Sequence, residues 1–388
     1  MELKRILTLA AICAQLLFAG CGGPDIGITS EEIEIGTWAP LTGPASNLST
    51  IAKAMDAYFD YINDQGGIHG RKLKLIMKDD GYDPARTPGV VKELVDGEHV
   101  FALLGGNGTA NCLAVKDYIA IKLLPWINPG SAARVWTSPV NAYVFSTYPS
   151  YVTEGRILAK YVVKELEAEN YGMFYQDDSF GREGQEGVRL GLRSADKEIA
   201  LAQAYEVGQN DLTEIAQKFK DEKIDVIFVW SITEGAAALV KAIAKIEDYD
   251  PQIVATQVLS DPIMFDLAGD AWEGAIVASS VPETTSDEPG TVKAREIIEQ
   301  YGNGMEFGTY AYWGLARAEI LVEGLRRAGP DLNRLKFILA IESIDNWTDN
   351  FVGAPISFSE DNHQGMNAIH LSKAEGGRLV QLSGWLES

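Results

Sequence analysis

Apolar positions along this chain switch period repeatedly between strand-like runs and helical spacing. Ile33-Glu34-Ile35-Gly36-Thr37 reads as a strand ending at Trp38-Ala39-Pro40. Leu48, Ile51, Ala52, Met55, Phe59 and Ile62 then recur at helical intervals until Gly66-Gly67. Leu73 to Met77 is again strand-like. A helix over about Arg86 to Asp96 leads to the apolar strand Val100 to Leu104, a helix from Ala110 to Ile121 and a short strand from Leu123 to Ile127. The strands are continuous apolar runs, as a parallel sheet covered by helices on both faces requires.

The alternation restarts beyond Tyr148. Helical patterns over Thr153 to Leu166, Gly184 to Arg193, Leu212 to Phe219 and Gly235 to Ile246 are interleaved with strand patterns over Tyr171 to Tyr175, Ala202 to Val207, Val226 to Trp230 and Gln252 to Thr256. Two successive α/β units predict two lobes. Gly274 to Ala278 and the long helical pattern Tyr310 to Arg326 read as a return to sheet and helix packing, and Ile356 to Leu382 alternates like short antiparallel strands. Parallel sheets bind ligands beyond the carboxyl ends of their strands, so two facing lobes place two such edges across one cleft.

The turns after strands therefore carry the candidate chemistry. Gly105-Gly106-Asn107-Gly108-Thr109-Ala110 opens a helix and can turn its amides and the Thr109 hydroxyl toward a carboxylate or amide; a purely structural turn is the alternative. Gly106-x-Gly108 is a weak dinucleotide signal, because Asn111 stands where the fingerprint has its third glycine and no P-loop lysine follows. Asn128-Pro129-Gly130-Ser131-Ala132 adds a second set of amides and a hydroxyl. In the second unit Phe180 and Trp230 are candidate apolar walls, with Trp230 equally readable as core. Asp178, Glu234 and Gln257 are alternatives for meeting a polar group of the ligand, and Trp38 and Asn47 are candidates for closing the same cleft.

The amino terminus adds an address. Lys4 and Arg5 precede an apolar run from Ile6 to Phe18, too short to span a membrane, and Leu17-Phe18-Ala19-Gly20-Cys21 resembles the lipobox of bacterial lipoproteins. By that resemblance residues 1–20 are a signal peptide, Cys21 is lipidated and residues 21–32 form a tether to a cell-envelope membrane. Gly22 lacks the aspartate associated with inner-membrane retention, which leaves either membrane open. Without residues 1–20 the net charge is about −23, which disfavours nucleic acid and anionic membrane surfaces as partners. Cys112 is then the single cysteine besides Cys21, so neither an internal disulfide nor a cysteine metal cluster is expected. His69, His99, His363 and His370 lack metal-ligand spacing and no Gly-x-Ser-x-Gly elbow is present. The expectation is therefore a binding protein with no catalytic residue, metal or cofactor.

Several segments carry a family likeness. Ile35-Gly36 through Leu41-Thr42-Gly43-Pro44, the stretch Asn63-Asp64-Gln65-Gly66-Gly67-Ile68-His69-Gly70, Asp79-Asp80 with Asp83-Pro84, and Asp178-Ser179-Phe180-Gly181 occur in order. They resemble the substrate-binding proteins of branched-chain amino acid ABC transporters, the Leu/Ile/Val-binding type. The resemblance implies a type I periplasmic binding protein fold: two Rossmann-like lobes joined by a multi-strand hinge. Residues 33–145 plus about 275–345 would form the first lobe, and 146–274 plus about 346–388 the second. It further implies a monomer that delivers a branched-chain or other apolar amino acid to a permease; the alternatives are an aromatic or other small organic acid or amide as the ligand, or a sensory receptor as the role. The ligand carboxylate would fall to Asn107, Gly108, Thr109, Gly130 and Ser131, and the aromatic wall to Tyr151 and Phe180. Gln257 falls where relatives place the acid that meets an ammonium, and Tyr82 and Gly108 fall where relatives carry a disulfide.

Overall fold

The computed structural model describes residues 26–388, so Cys21 and the leader lie outside the described residues. The first lobe is built from β1 (Glu32–Ala39), α1 (Ser49–Asp64), β2 (Lys72–Asp79), α2 (Thr87–Lys92), β3 (Ala102–Leu104), α3 (Thr109–Ile121), β4 (Trp126–Ile127) and β5 (Val144–Phe145). Its strands form a parallel sheet in the order β2-β1-β3-β4-β5.

The second lobe takes α4 (Tyr151–Glu165), β6 (Tyr171–Gln176), α5 (Ser179–Arg193), β7 (Ile199–Tyr205), α6 (Thr213–Asp221), β8 (Val226–Trp230), α7 (Thr233–Ile243), β9 (Gln252–Ala255), α8 (Ile263–Ala268) and β10 (Ile276–Ser279). The chain returns to the first lobe with α9 (Pro289–Tyr301), α10 (Thr309–Ala328) and α11 (Arg334–Glu342). It finishes in the second with β11 (Ala368–Ala374), β12 (Leu379–Gln381) and β13 (Leu386–Glu387). The second sheet runs β12-β11-β10-β9-β8-β6-β7, with β13 paired to β11. Strands β6 to β10 are parallel and β11 is antiparallel to its neighbours.

The apolar runs become central strands for the expected reason. All five residues of β8 are buried, because helices cover both faces of its sheet. The helical stripe of α1 (Ile51, Met55, Phe59) packs in one core with Leu315, Leu321 and Val322 of α10. Each such aliphatic side chain contributes about 1.5–3 kcal/mol by leaving water.

Two lobe boundaries differ from expectation. The return to the first lobe comes after β10, not at about 275, since Ile276 pairs with Val254 on one side and Lys373 on the other. An apolar run reads alike in either sheet, and only its pairing assigns it. At the other end, residues 346–367 stay with the first lobe: Phe351, Ile356, Phe358 and Met366 belong to its core, and the antiparallel tail begins at Ala368. Three chain crossings thus join the lobes. They lie side by side: Ser146 bridges Gln364, and His370 Nε2 is 2.6 Å from the Val281 carbonyl.

Candidate functional site

The loops beyond β1, β3 and β4 in one lobe face those beyond β6, β8 and β9 in the other, and a cavity lies where they meet. It offers about 50 Å³ to the centre of a water-sized sphere, several times the ~10–15 Å³ that admits one water.

The first-lobe wall is a nest of backbone and hydroxyl groups. Gly108 N–H donates to the Gly130 carbonyl over 3.2 Å, and Gly130 N–H to that of Gly105 over 3.3 Å. A Cβ on Gly130 would stand 1.5 Å from the Gly106 carbonyl oxygen, so only glycine lets the two loops approach this closely. Thr109 Oγ and Ser131 Oγ are 2.9 Å apart and buried. Thr109 starts α3 with no side-chain cap, so the orphan amides of its first turn and the positive end of its dipole border the cavity. Asn107 Nδ2 donates to the Leu48 carbonyl over 3.1 Å, fixing the loop beyond β1 against the nest.

The second-lobe wall is aromatic. Tyr151 and Phe180 meet edge to face with centroids 4.9 Å apart, a packing that holds both rings in place. The Tyr151 hydroxyl also faces the Thr109 side chain across the cleft. Gln257 completes this wall, and its amide is held from behind: Nε2 donates to Glu154 Oε2 over 2.9 Å. Glu154 Oε1 accepts from Thr256 Oγ over 2.8 Å and from Gln257 N–H over 2.7 Å. Burial raises the Glu154 carboxyl to about 7, against the lowering effect of those three donors.

The third wall comes from α10, which the turns gave no reason to consider. Trp313 and Arg317, one helical turn apart, both border the cavity. Arg317 lies over the Tyr148 ring with its guanidinium carbon 5.3 Å from the centroid. Tyr148 in turn donates its hydroxyl to the Pro129 carbonyl, and burial pushes that hydroxyl up to about 12. Among the described residues no Asp, Glu or His lines the cavity.

Of the sequence candidates, Asn107, Gly108, Thr109, Gly130, Ser131, Tyr151, Phe180 and Gln257 line this one cavity. Trp38, Asn47 and Trp230 do not. Trp38 is fully buried beneath Gly106, packed on Trp126 with centroids 5.4 Å apart. Trp230 is fully buried behind the wall, 6.3 Å from Tyr151 and 6.4 Å from Phe180. Asn47 donates to Thr233 Oγ over 2.6 Å, tying the lobes together beside the cavity instead of facing into it. Asp178 caps α5, accepting from Phe180 and Gly181 N–H, and Glu234 accepts from Thr233 Oγ. Tyr82 and Gly108 do come together, with the Tyr82 ring against the face of Gly108 and bordering the cavity. Leu48, Ile51, Ile232 and Val258, with Trp313 and Arg317, were missed. Arg317 had a legible signal, since it falls on the apolar face of α10 between Trp313 and Leu321, where a charge is out of place.

Known proteins share this architecture. The chain is 23% identical over 325 residues to the Leu/Ile/Val-binding protein BraC3 of Rhizobium johnstonii, covering 83% of this chain and 86% of that one. A fatty acid ABC transporter substrate-binding protein from Thermomonospora curvata superposes with a TM-score of 0.85 at 22% identity, covering 94% and 95%. A branched chain amino acid ABC transporter from Thermus thermophilus with bound valine does so with a TM-score of 0.84 at 24% identity, covering 93% and 98%. With residues 32–378 matching the family as a whole, two α/β lobes and a cavity between facing strand ends, the chain belongs to the periplasmic binding proteins, in their type I fold.

Proposed function

We propose that the chain is a solute receptor that closes its lobes over a small carboxylate-bearing molecule and delivers it to the permease of an ABC transporter. Membership of the family implies an extracytoplasmic body, and no described helix is long and apolar enough to cross a membrane. A lipid on Cys21 would hold that body at the envelope, where captured solute reaches the permease.

The observation that carries this reading is the pairing of an amide-and-hydroxyl nest with an aromatic wall across one cavity. The nest suits a carboxylate, and the rings, with Leu48, Ile51 and Ile232, suit an apolar body. The ligand classes in the relatives' names, Leu/Ile/Val and fatty acid, share those two features. Capture requires no chemistry: the crossings hinge, each lobe brings one wall, and closure removes the solute from water.

A thermal-shift screen of carboxylic acids, amides and amino acids, followed by calorimetry, tests the reading. A ligand at 100 times its Kd adds about 2.7 kcal/mol to stability and raises the melting temperature. Mass spectrometry should recover it unmodified. Failure of every small carboxylate to raise the melting temperature would contradict solute capture.

A further inference from the structure

A nest and an aromatic wall leave one feature of the cavity unexplained, a buried guanidinium. Arg317 is 6% exposed, and its Nε and Nη1 are buried with no hydrogen-bond partner. The Tyr148 and Trp313 rings, 5.3 Å and 5.9 Å from its guanidinium carbon, stabilise the charge without accepting its in-plane N–H groups. A buried charge in this condition is strongly unfavourable until an anion completes it.

The rest of the cavity supplies no such anion and no partner for a cation. Among the described residues no carboxylate lines it. Glu154, behind Gln257, has both oxygens occupied by Thr256 and Gln257. Asp178 and Glu234 are engaged in their own loops. A solute ammonium here would meet Arg317 and a neutral glutamine, and would pay its desolvation with no compensating charge. The uncapped start of α3 favours negative charge on the same side.

We propose that the solute is an organic acid bearing no amine, with its carboxylate in the nest and its negative charge paired with Arg317. This rests on the cavity being the solute site, and it sharpens that reading by excluding zwitterions. Both a monocarboxylate and a dicarboxylate meet the requirement. An α-amino acid of the same shape does not.

The test is calorimetry on the wild-type chain with 4-methylpentanoate, benzoate and adipate against leucine and phenylalanine. At least one acid should bind roughly 100-fold more tightly than either amino acid. Arg317→Met should weaken that acid ~10- to 100-fold while leaving the ligand-free melting temperature unchanged or higher, because an unpaired buried charge has been removed. Arg317→Lys keeps the charge without the planar fork and should restore part of the affinity. Leucine or phenylalanine binding as tightly as the acids would overturn the proposal, as would undiminished acid binding by Arg317→Met. Binding of none of the three acids would also overturn the proposal, whereas solute capture itself falls only if every small carboxylate in the thermal-shift screen fails as well.

Discussion

Thr109 concentrates the residue-scale argument, because its hydroxyl faces both Ser131, 2.9 Å away, and Tyr151 of the opposite lobe. Thr109→Val keeps the shape and removes the donor. A hydrogen bond to a charged group contributes about 1.5–3 kcal/mol, so calorimetry should show carboxylate affinity falling roughly 10- to 100-fold with unfolding little changed. Glu154 makes a pH prediction. Burial raises its carboxyl from 4.5 to about 7, so its contribution to stability is fully present below pH 4.5 and is lost as pH rises through about 7. Glu319, raised by burial to about 8, acts in the same direction. The melting temperature should therefore fall between pH 5 and pH 8, and Glu154→Gln should flatten part of that slope. Among residues, those legible in the sequence sat in turns just after strands, where position alone gives access to a cleft. Glu154 was hidden inside a helix whose pattern spoke only of packing, whereas Arg317 stood out as a charge on the apolar face of α10 and lacked only a reason to be tied to the cleft. The tryptophans misled because bulk suits a core as well as a wall, and Trp38 and Trp230 serve the core.

At the scale of elements, the site depends on two loops held closer than any side chain permits. Gly130→Ala would set a methyl group 1.5 Å from the Gly106 carbonyl oxygen, so one loop must move. The expected result is a loss of at least about 2 kcal/mol in denaturant unfolding, together with loss of carboxylate binding, since the displaced loops carry the nest. Strand and helix periods made most elements legible. Helices α8, α9 and α11 and strand β5 were not read. β5 has only two residues and is defined by its pairing with β4, which no local pattern encodes. The same limit explains β10: its four buried residues fit either sheet, and partners far along the chain place it in the second. The loop ending at Met366 read as strand because its apolar residues alternate, yet they fill the first-lobe core from irregular backbone.

At the scale of the molecule, the lobes meet through contacts that opening would break. Asn47 bonds Thr233, the Tyr310 hydroxyl donates to the Val258 carbonyl over 2.9 Å, and Tyr310 N–H donates to Asp261 over 2.8 Å. Each such bond contributes about 0.5–1.5 kcal/mol, so a solute touching both walls can tip the balance toward closure. The two-lobed plan was legible in the repeated α/β order, whereas the lobe boundaries were not, because three crossings interleave the lobes along the chain. Closure around a small carboxylate is the central claim, and small-angle X-ray scattering tests it most directly. With a saturating carboxylate identified by calorimetry, the radius of gyration should fall and the profile should match that of the structure described above. Saturation with no change from the ligand-free profile would contradict it.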